Sequence, residues 1–323
     1  MSVPAPLTRH IEVGELLPAA GMLRMAAEVF TPERARSPPL VLFCTPGGAM
    51  NRHYFDLRAA GSAAEFSFAA QLTATGCHVI ALDPLGIGDS TRPADGHALT
   101  PDLLAQALAT ACAALRRELT EGTLTGQPVQ GLRSVGVGHS LGAMLTAMAQ
   151  AQHGGHDALM LFGFSPQGLT SALTPEEAAF ANDPAATRAQ LIRLARARSA
   201  DPYPQIARSQ QGRELFAGER ADRRGVEAVQ AARAPLLVTA GLFSMIPGSC
   251  APECAQLATP LLLAAGDRDI AGVPHQLPAS FPASRDITLL VLPETGHCHF
   301  LFDSRRGLFA RAAQWCEKLP GQS

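Results

Sequence analysis

The sequence predicts an α/β fold: a mostly parallel sheet of the eight-stranded type, with helices on both faces and an inserted helical lid. Short apolar runs alternate with helical stretches along most of the chain, which is typical of parallel strands joined by crossover helices. Hydrophobic residues make up 47% of the 323 residues and charged residues only 17%, so the chain can bury a large core. The alternation stops between about residues 165 and 258, which indicates an insertion.

The predicted strands are short apolar runs that end in turn-forming residues. Two runs near the N-terminus, 11–16 and 23–30, have the pattern of an antiparallel edge hairpin. The buried strands are predicted at 40–45, 77–82, 132–138, 158–164, 260–265 and 287–292. Helices are predicted at 62–75, 100–119, 141–153 and 304–318. Pro101 lies in the first turn of the second helix, where the missing N–H of proline is tolerated.

The insertion at residues 165–258 is predicted to form a separate helical cap over the body. Residues 187–198 and 222–233 have helical patterns, and Asp222 is placed to cap the second helix. The charges of the insertion nearly cancel, so it offers no surface for binding anions. The body then comprises residues 1–164 and 259–323.

The charge balance and the cysteine pattern exclude several classes of partner. Lys and Arg number 26 against 28 Asp and Glu, and no polybasic tail is present, so neither nucleic acid nor an anionic membrane is expected. The seven cysteines are too widely spaced for a disulfide framework, although pairing of Cys250 with Cys254 stays open. We find no signal peptide and no apolar stretch long enough to span a bilayer, and therefore expect a cytoplasmic protein.

The strongest chemical signal is the segment Gly138-His139-Ser140-Leu141-Gly142, which lies between a predicted buried strand and a predicted helix. It matches the pattern G-x-S-x-G, in which a sharp turn lifts the serine hydroxyl above the sheet. The two glycines are needed because a Cβ two residues from the serine would clash in this turn. Ser140 is therefore the candidate nucleophile, and the backbone N–H of Leu141 is a candidate oxyanion donor.

A second oxyanion donor is expected from the turn Pro46-Gly47-Gly48-Ala49, which follows the first predicted buried strand. Glycines let the backbone approach a substrate oxygen closely. The N–H of Gly48 is the first choice of donor, and the N–H groups of Gly47 and Ala49 are the alternatives.

Three further short motifs accompany these two turns. They are Asp83-x-x-Gly86-x-Gly88-x-Ser90, Gly266-Asp267-Arg268-Asp269 and Gly296-His297. With them the chain resembles the α/β-hydrolase superfamily, in its lid-bearing group of serine esterases, lipases, lactonases and peroxidase-like enzymes. The resemblance covers positions 46 to 297 in family order and implies the α/β-hydrolase fold. The chain departs from the family at the first turn, where His-Gly is common and Pro46-Gly47-Gly48 stands here.

A serine nucleophile requires a base that accepts its proton and an acid that holds the base. In this fold the order along the chain is Ser, then Asp, then His. The resemblance implies Asp269 as the acid, and Asp267 is kept as the alternative. It implies His297 as the base, because His297 follows a glycine after the last predicted strand. His299 is expected to line the site or to pack beneath it.

The implied reaction passes through an acyl intermediate on Ser140. We expect cleavage of a carboxylic ester or lactone of a moderately hydrophobic small molecule. A thioesterase or acyltransferase and a C–C bond hydrolase are the alternatives, and a ligand receptor without activity is less favoured because the three catalytic residue types are all present.

Neither a metal nor a cofactor is expected, because the sequence contains no H-E-x-x-H, no paired C-x-x-C and no G-x-G-x-x-G after the first strand. The cap contains an apolar run that extends from Leu236 to Ile246. Its members Phe243 and Met245, together with Met50 beside the first turn, are predicted to line the substrate pocket.

Overall fold

A computed structural model of the protein describes residues 5–61, 64–206 and 218–319. Eight strands in these ranges form one sheet. They are β1 Leu7–Gly14, β2 Leu23–Phe30, β3 Leu40–Thr45, β4 His78–Leu82, β5 Arg133–His139, β6 Ala158–Phe162, β7 Leu261–Gly266 and β8 Ile287–Leu292. Their spatial order is β1-β2-β4-β3-β5-β6-β7-β8.

Strands β3 to β8 run parallel, whereas β2 is antiparallel to both β1 and β4. The α/β class and the N-terminal hairpin predicted from the sequence are therefore confirmed. The first strand begins at Leu7 instead of residue 11, and it ends at Gly14 instead of residue 16. It ends there because the pairing shifts after Glu12 and Gly14 has a φ of 103°, which glycine tolerates far better than other residues.

The α-helices in the described ranges are α1 Phe68–Ala74, α2 Pro101–Glu121, α3 Leu141–His153, α4 Pro175–Ala178, α5 Pro184–Arg198, α6 Arg223–Ala228, α7 Val238–Met245, α8 Ala251–Gln256 and α9 Arg305–Glu317. The first is shorter than predicted, because the Ser67 hydroxyl accepts a hydrogen bond from the Ala70 N–H and caps the helix there. Ser62, the predicted start, lies outside the described residues. Asp222 caps α6 as predicted.

Helices cover both faces of the sheet, and each face has its own apolar cluster. In β3 the side chains of Val41 and Phe43 belong to one cluster, and those of Leu40 and Leu42 belong to the other. This is the two-residue alternation of a strand that is buried on both sides.

The carboxyl ends of the parallel strands meet at one edge of the sheet, where ligands bind in open α/β folds. The turn at 46–49 follows β3 there, and Ser140 directly follows β5. The loops after β7 and β8 reach the same edge and supply Asp269 and His297.

Between β6 and β7 the described chain is helical or irregular. Helix α7 packs against α2, α3 and α5. Arg188 of α5 donates hydrogen bonds to Asp102 of α2 and to Glu253 of α8, which joins this segment to the body. The assignment of 165–258 to a cap domain stays a prediction, and residues 207–217 lie outside the described ranges.

No helix in the described ranges has the length and apolar character needed to cross a membrane. All seven cysteines are buried free thiols, so Cys250 and Cys254 form no disulfide in this structure.

Candidate active site

Ser140 occupies the tight turn between β5 and α3, with a φ of 55° and a ψ of −123°. A non-glycine residue with this φ is strained, and such strain is typical of functional sites. A Cβ at Gly138 would come within 2.3 Å of the Ala143 Cα, and one at Gly142 within 2.2 Å of the Thr45 carbonyl oxygen. Both glycines are therefore required by close backbone contacts, as the motif predicts.

The side chains of Ser140, His297 and Asp269 form a continuous hydrogen-bonded line. Nε2 of His297 lies 2.7 Å from the Ser140 hydroxyl, and Nδ1 lies 2.7 Å from Oδ1 of Asp269. A carboxylate only accepts hydrogen bonds, so Nδ1 carries the ring proton and Nε2 accepts from the serine O–H. The side chains of His297 and Asp269 are buried, whereas Ser140 is half-buried and can be reached by a ligand.

Asp269 is held as a charged carboxylate. Burial alone would raise its pKa, but the positive charge that His297 can carry, together with hydrogen bonds from His297 and His299, outweighs burial and holds the pKa well below its usual range. The backbone N–H of Ala271 also donates to Oδ1, at 3.0 Å.

Asp267, the alternative acid, points elsewhere. Its two oxygens accept the backbone N–H groups of Glu294 and Thr295, at 2.9 and 3.0 Å. These hydrogen bonds, led by the one from Glu294, lower the pKa of the Asp267 carboxyl. Asp267 therefore shapes the turn that precedes His297, and it is Asp269 that contacts the histidine ring.

His139, which precedes Ser140, stabilises the loop that carries His297. Its Nε2 donates to the backbone carbonyl of His297 at 2.8 Å, and its ring lies between those of Tyr54 and His297. Burial, reinforced by the two nearby histidines His297 and His299, holds the pKa of His139 well below its usual value. The ring is thus neutral and links the nucleophile turn to the loop that carries the base.

Gly163 provides the space in which Asp269 and His297 meet. It follows β6, which ends at Phe162 and not at the predicted residue 164, because Gly163 turns away with a φ of 59°. A Cβ at this position would lie 3.2 Å from Oδ2 of Asp269 and 3.3 Å from the His297 ring. This role of Gly163 is not among the sequence-based predictions, although a glycine directly after a buried strand is a signal for close approach.

The turn after β3 lies against the nucleophile. A Cβ at Gly47 would be 3.2 Å from the Ser140 Cβ, and one at Gly48 would be 3.5 Å from Cδ1 of Leu141. Leu141 is the first residue of α3, so its N–H has no partner within the helix and is available to a ligand. The turn is stabilised by a hydrogen bond from the Met50 N–H to the Gly47 carbonyl, at 3.2 Å. The identity of the second oxyanion donor stays a prediction.

An apolar cavity of about 10 Å³, enough for roughly one water molecule, lies beside this turn. It is lined by Pro46, Gly47, Gly48, Ala49, Met50, Pro84, Ile87, Leu104, Leu141, Leu145, Leu236, Leu237 and Ala240. No charged side chain contributes to this wall. The cavity extends from the candidate oxyanion turn toward the start of α7.

The three predicted pocket residues lie in different places. Met50 lines the cavity, whereas Phe243 and Met245 do not. The Phe243 ring is fully buried farther along α7, where the guanidinium of Arg188 on α5 lies 5.1 Å from its centre. Leu236, a member of the same apolar run, lines the cavity, because it precedes α7 and faces Gly48. The role of Phe243 and Met245 in substrate binding stays a prediction.

Among the described residues, no group of three or more His, Cys, Asp or Glu side chains is arranged to hold a metal ion. The side chains of Ser140, His297, Asp269 and His299 are joined to each other by hydrogen bonds. The arrangement has the groups that nucleophilic catalysis by a serine requires: a hydroxyl that donates to a histidine, a charged carboxylate that holds that histidine, and a backbone N–H without a helical partner.

The sequence model of the alpha/beta hydrolase family matches residues 41–312 of the chain. No curated protein has a sequence that matches it. Many solved structures resemble it, among them an esterase from Thermogutta terrifontis, which is 17% identical with a TM-score of 0.59. That likeness covers 96% of this chain and 99% of the esterase.

Two further structures are similar over nearly their whole length. A bromoperoxidase from Bacillus anthracis is 15% identical with a TM-score of 0.62, and the likeness covers 97% of this chain and 100% of the bromoperoxidase. A mutant N-acyl homoserine lactonase, in complex with N-hexanoyl homoserine, is 16% identical with a TM-score of 0.57. Here the likeness covers 98% of each chain. At these identities the likeness concerns the fold.

Proposed function

Since the chain belongs to the alpha/beta hydrolase family, we propose that it is a serine hydrolase that cleaves a carboxylic ester or lactone through an acyl intermediate on Ser140. The observation that carries the proposal is the hydrogen-bonded line from Asp269 through His297 to Ser140, in which both distances are 2.7 Å. Its hydrogen-bonding pattern is the one that activates a serine for acyl transfer.

In the first step, the Ser140 oxygen attacks the substrate carbonyl carbon while Nε2 of His297 takes the hydroxyl proton. Asp269 stabilises the imidazolium that forms and keeps the ring in the correct tautomer. Collapse of the tetrahedral intermediate breaks the bond to the alcohol oxygen, which receives the proton from His297. A water molecule then gives a proton to Nε2 of His297 while its oxygen attacks the acyl carbon and forms a second tetrahedral intermediate. Collapse of this intermediate breaks the bond between the acyl carbon and the Ser140 oxygen, which takes the proton back from His297, and the carboxylic acid is released.

The negative oxygen of each tetrahedral intermediate requires donors that are already in place. We assign the N–H of Leu141 as one donor and the N–H of Gly48 as the first choice for the other. Gly48 supports this role because it has no side chain to block the oxygen and lies directly against Leu141.

We propose a small, uncharged and moderately hydrophobic substrate. The cavity beside the oxyanion turn supports this, because its wall is apolar and no charged side chain contributes to it. Its volume of about 10 Å³ holds roughly one water molecule, so an acyl group enters only if Leu236 moves. We therefore propose that the protein binds small molecules, and that neither nucleic acid nor a membrane is a partner. The proposed cytoplasmic location rests on the sequence alone.

The test is labelling with a fluorophosphonate, which reacts with activated serines, followed by assays on short-chain esters, lactones and thioesters. We expect rapid labelling, complete loss of labelling in Ser140→Ala, and hydrolysis of at least one ester or lactone. Ser284→Ala is the control, because the Ser284 hydroxyl donates to the Thr259 carbonyl in a distant turn.

Three outcomes would contradict the proposal in different ways. If labelling persists in Ser140→Ala, Ser140 is not the nucleophile. Labelling with turnover of thioesters alone, or only with a non-water acceptor, would favour a thioesterase or an acyltransferase. No labelling and no turnover in a folded protein would favour a receptor.

A further inference from the structure

Asp269 accepts hydrogen bonds from two histidines, and the proposed mechanism uses only one of them. Nε2 of His299 lies 2.6 Å from Oδ2 of Asp269, on the opposite side of the carboxylate from His297. Both side chains in this contact are completely buried. The other ring nitrogen of His299, Nδ1, has no hydrogen-bond partner among the described residues. Because a carboxylate only accepts hydrogen bonds, Nε2 of His299 carries a ring proton and donates it to Asp269.

The three donors to Asp269 divide between its two oxygens. Oδ1 accepts from His297 and from the backbone of Ala271, whereas His299 is the donor to Oδ2. A buried carboxylate oxygen without a donor is strongly disfavoured. If His299 lost its donor, the carboxylate would gain by rotating, and its rotation would disturb the hydrogen bond to His297.

We propose that His299 is a positioning residue for the reaction, which holds the Asp269 carboxylate in the orientation that His297 requires and limits the basicity of that carboxylate. This inference rests on the proposed function, because it assigns Asp269 and His297 their catalytic roles. His299 itself touches neither the substrate nor Ser140.

The Asp269 carboxylate is the charged group that the His299 ring contacts, because the other titratable groups near this carboxylate are uncharged or are histidines. His139 and Asp269 contact the His299 ring, and the other titratable groups that interact with Asp269 are Tyr54, His297 and Cys298. Burial raises the pKa of Tyr54 well above its usual value and that of Cys298 to about 12, so both are uncharged. His139 is neutral for the reason given above.

A pH effect follows from this arrangement. The hydrogen bond from His299 draws negative charge toward Oδ2 of Asp269. Without that hydrogen bond, more negative charge resides on Oδ1, the oxygen that contacts Nδ1 of His297. The protonated form of His297 is then stabilised and persists to a higher pH. Because protonated His297 cannot act as the base, the acid side of the pH–rate profile is expected to move upward.

The experiment compares His299→Asn with His299→Gln. The glutamine amide nitrogen is as far from the backbone as Nε2 and can replace the donor, whereas the asparagine amide is too short to reach Oδ2. We measure kcat, KM and the pH profile of kcat/KM on a short-chain ester, together with the titration midpoint of His297 by NMR. His78→Gln is the control, since His78 is a buried histidine at the start of β4.

For His299→Asn we expect a fall in kcat of roughly 10-fold with little change in KM, as expected from a misplaced catalytic group. We also expect the acid side of its profile and the His297 titration to rise by about 0.5 to 1 pH unit. His299→Gln should restore both properties, and His78→Gln should leave both unchanged.

The proposal is overturned if His299→Asn keeps the wild-type profile and midpoint, or if His299→Gln shifts them equally. The wild-type protein provides an independent test, because NMR of labelled imidazoles must find the His299 proton on Nε2, and a proton on Nδ1 would also overturn it. If no ester is hydrolysed and Ser140 is not labelled, the proposed function fails, while the NMR measurements still decide the role of His299.

Discussion

The edge of the sheet that carries Ser140 and the helical segment that lies above it differ in what determines the position of a side chain. At the edge, Ser140 is placed by a strained turn and His297 by hydrogen bonds to Asp269 and from His139. In the helical segment, the side chains of Phe243 and Leu236 are apolar and make no hydrogen bonds, and they lie against Arg188 and Gly48 respectively.

This difference explains which expectations about the site agree with the structure. Positions that depend on a short backbone motif follow from the order of residues in the chain. Positions that depend on how α7 meets the body require the tertiary structure. In the proposed hydrolase, the chemistry and the substrate specificity would therefore depend on different features of the sequence, and the predictions below test that separation.

The largest expected effect is the loss of the acid. Asp269→Asn should lower kcat by roughly 10⁴-fold, because an amide favours the wrong tautomer of His297 and cannot stabilise its charged form. Asp267→Asn should lower it by roughly 10-fold or less, since Asp267 acts only through the backbone of Glu294 and Thr295. Steady-state kinetics on one ester measure both, and similar losses would mean that the acid is not Asp269.

A second prediction concerns the turns that hold the edge together. Gly142→Ala should lower the free energy of unfolding by about 3 kcal/mol or more, because its Cβ would collide with two backbone carbonyl groups that cannot move aside. Gly307→Ala is the matched control: nothing lies within 4 Å of its Cβ position in α9, and alanine should stabilise the helix by up to about 1 kcal/mol. Urea denaturation compares the two, and a stable Gly142→Ala would contradict the packing of the turn.

A third prediction concerns the wall above the oxyanion turn. Leu236→Ala should raise the preference for longer acyl chains over acetyl by roughly 10- to 200-fold, because it opens the cavity between Gly48 and α7. Phe243→Leu should leave that preference unchanged and lower stability by about 1 kcal/mol, because its ring lies in the core.

A panel of esters with increasing acyl length measures the preference, and thermal denaturation measures the stability. If Phe243→Leu changes the preference and Leu236→Ala does not, the substrate pocket lies elsewhere. Our assignment of Leu236 to the pocket wall and of Phe243 to the core is then wrong.

The smallest effect concerns the body far from the chemistry. Burial lowers the pKa of His156 from 6.5 to about 4, and Arg116 adds to the shift. Between these pH values the unfolded chain binds a proton that the folded protein does not, so stability falls as the pH is lowered. The slope due to this residue is about 1 kcal/mol per pH unit. His156→Gln should remove it and exposed His10→Gln should not, as measured by denaturation between pH 4 and 7.

Much of the fold and the centre of the site could be predicted from the sequence. The strand pattern and the glycines around Ser140 are local signals, and the family resemblance separated Asp269 from Asp267. The role of His299 could not be predicted, because the spacing of His297 and His299 in an irregular loop does not reveal where each ring points. Leu236 and Phe243 lie in one apolar run. Only the position of α7 in the folded protein shows that Leu236 lines the cavity and that Phe243 is buried in the core.

The contact between Gly142 and the Thr45 carbonyl has a consequence for how this protein can evolve. The turn at Ser140 and the turn at 46–49 pack so closely here that almost any side chain at position 142 would collide with the backbone. Leu236 and its neighbours face no comparable restriction, because a packed apolar wall accepts other apolar residues. For the hydrolase proposed here, selection could therefore change the accepted substrate in small steps through Leu236 and its neighbours, while the two turns that hold the reacting groups are inherited unchanged.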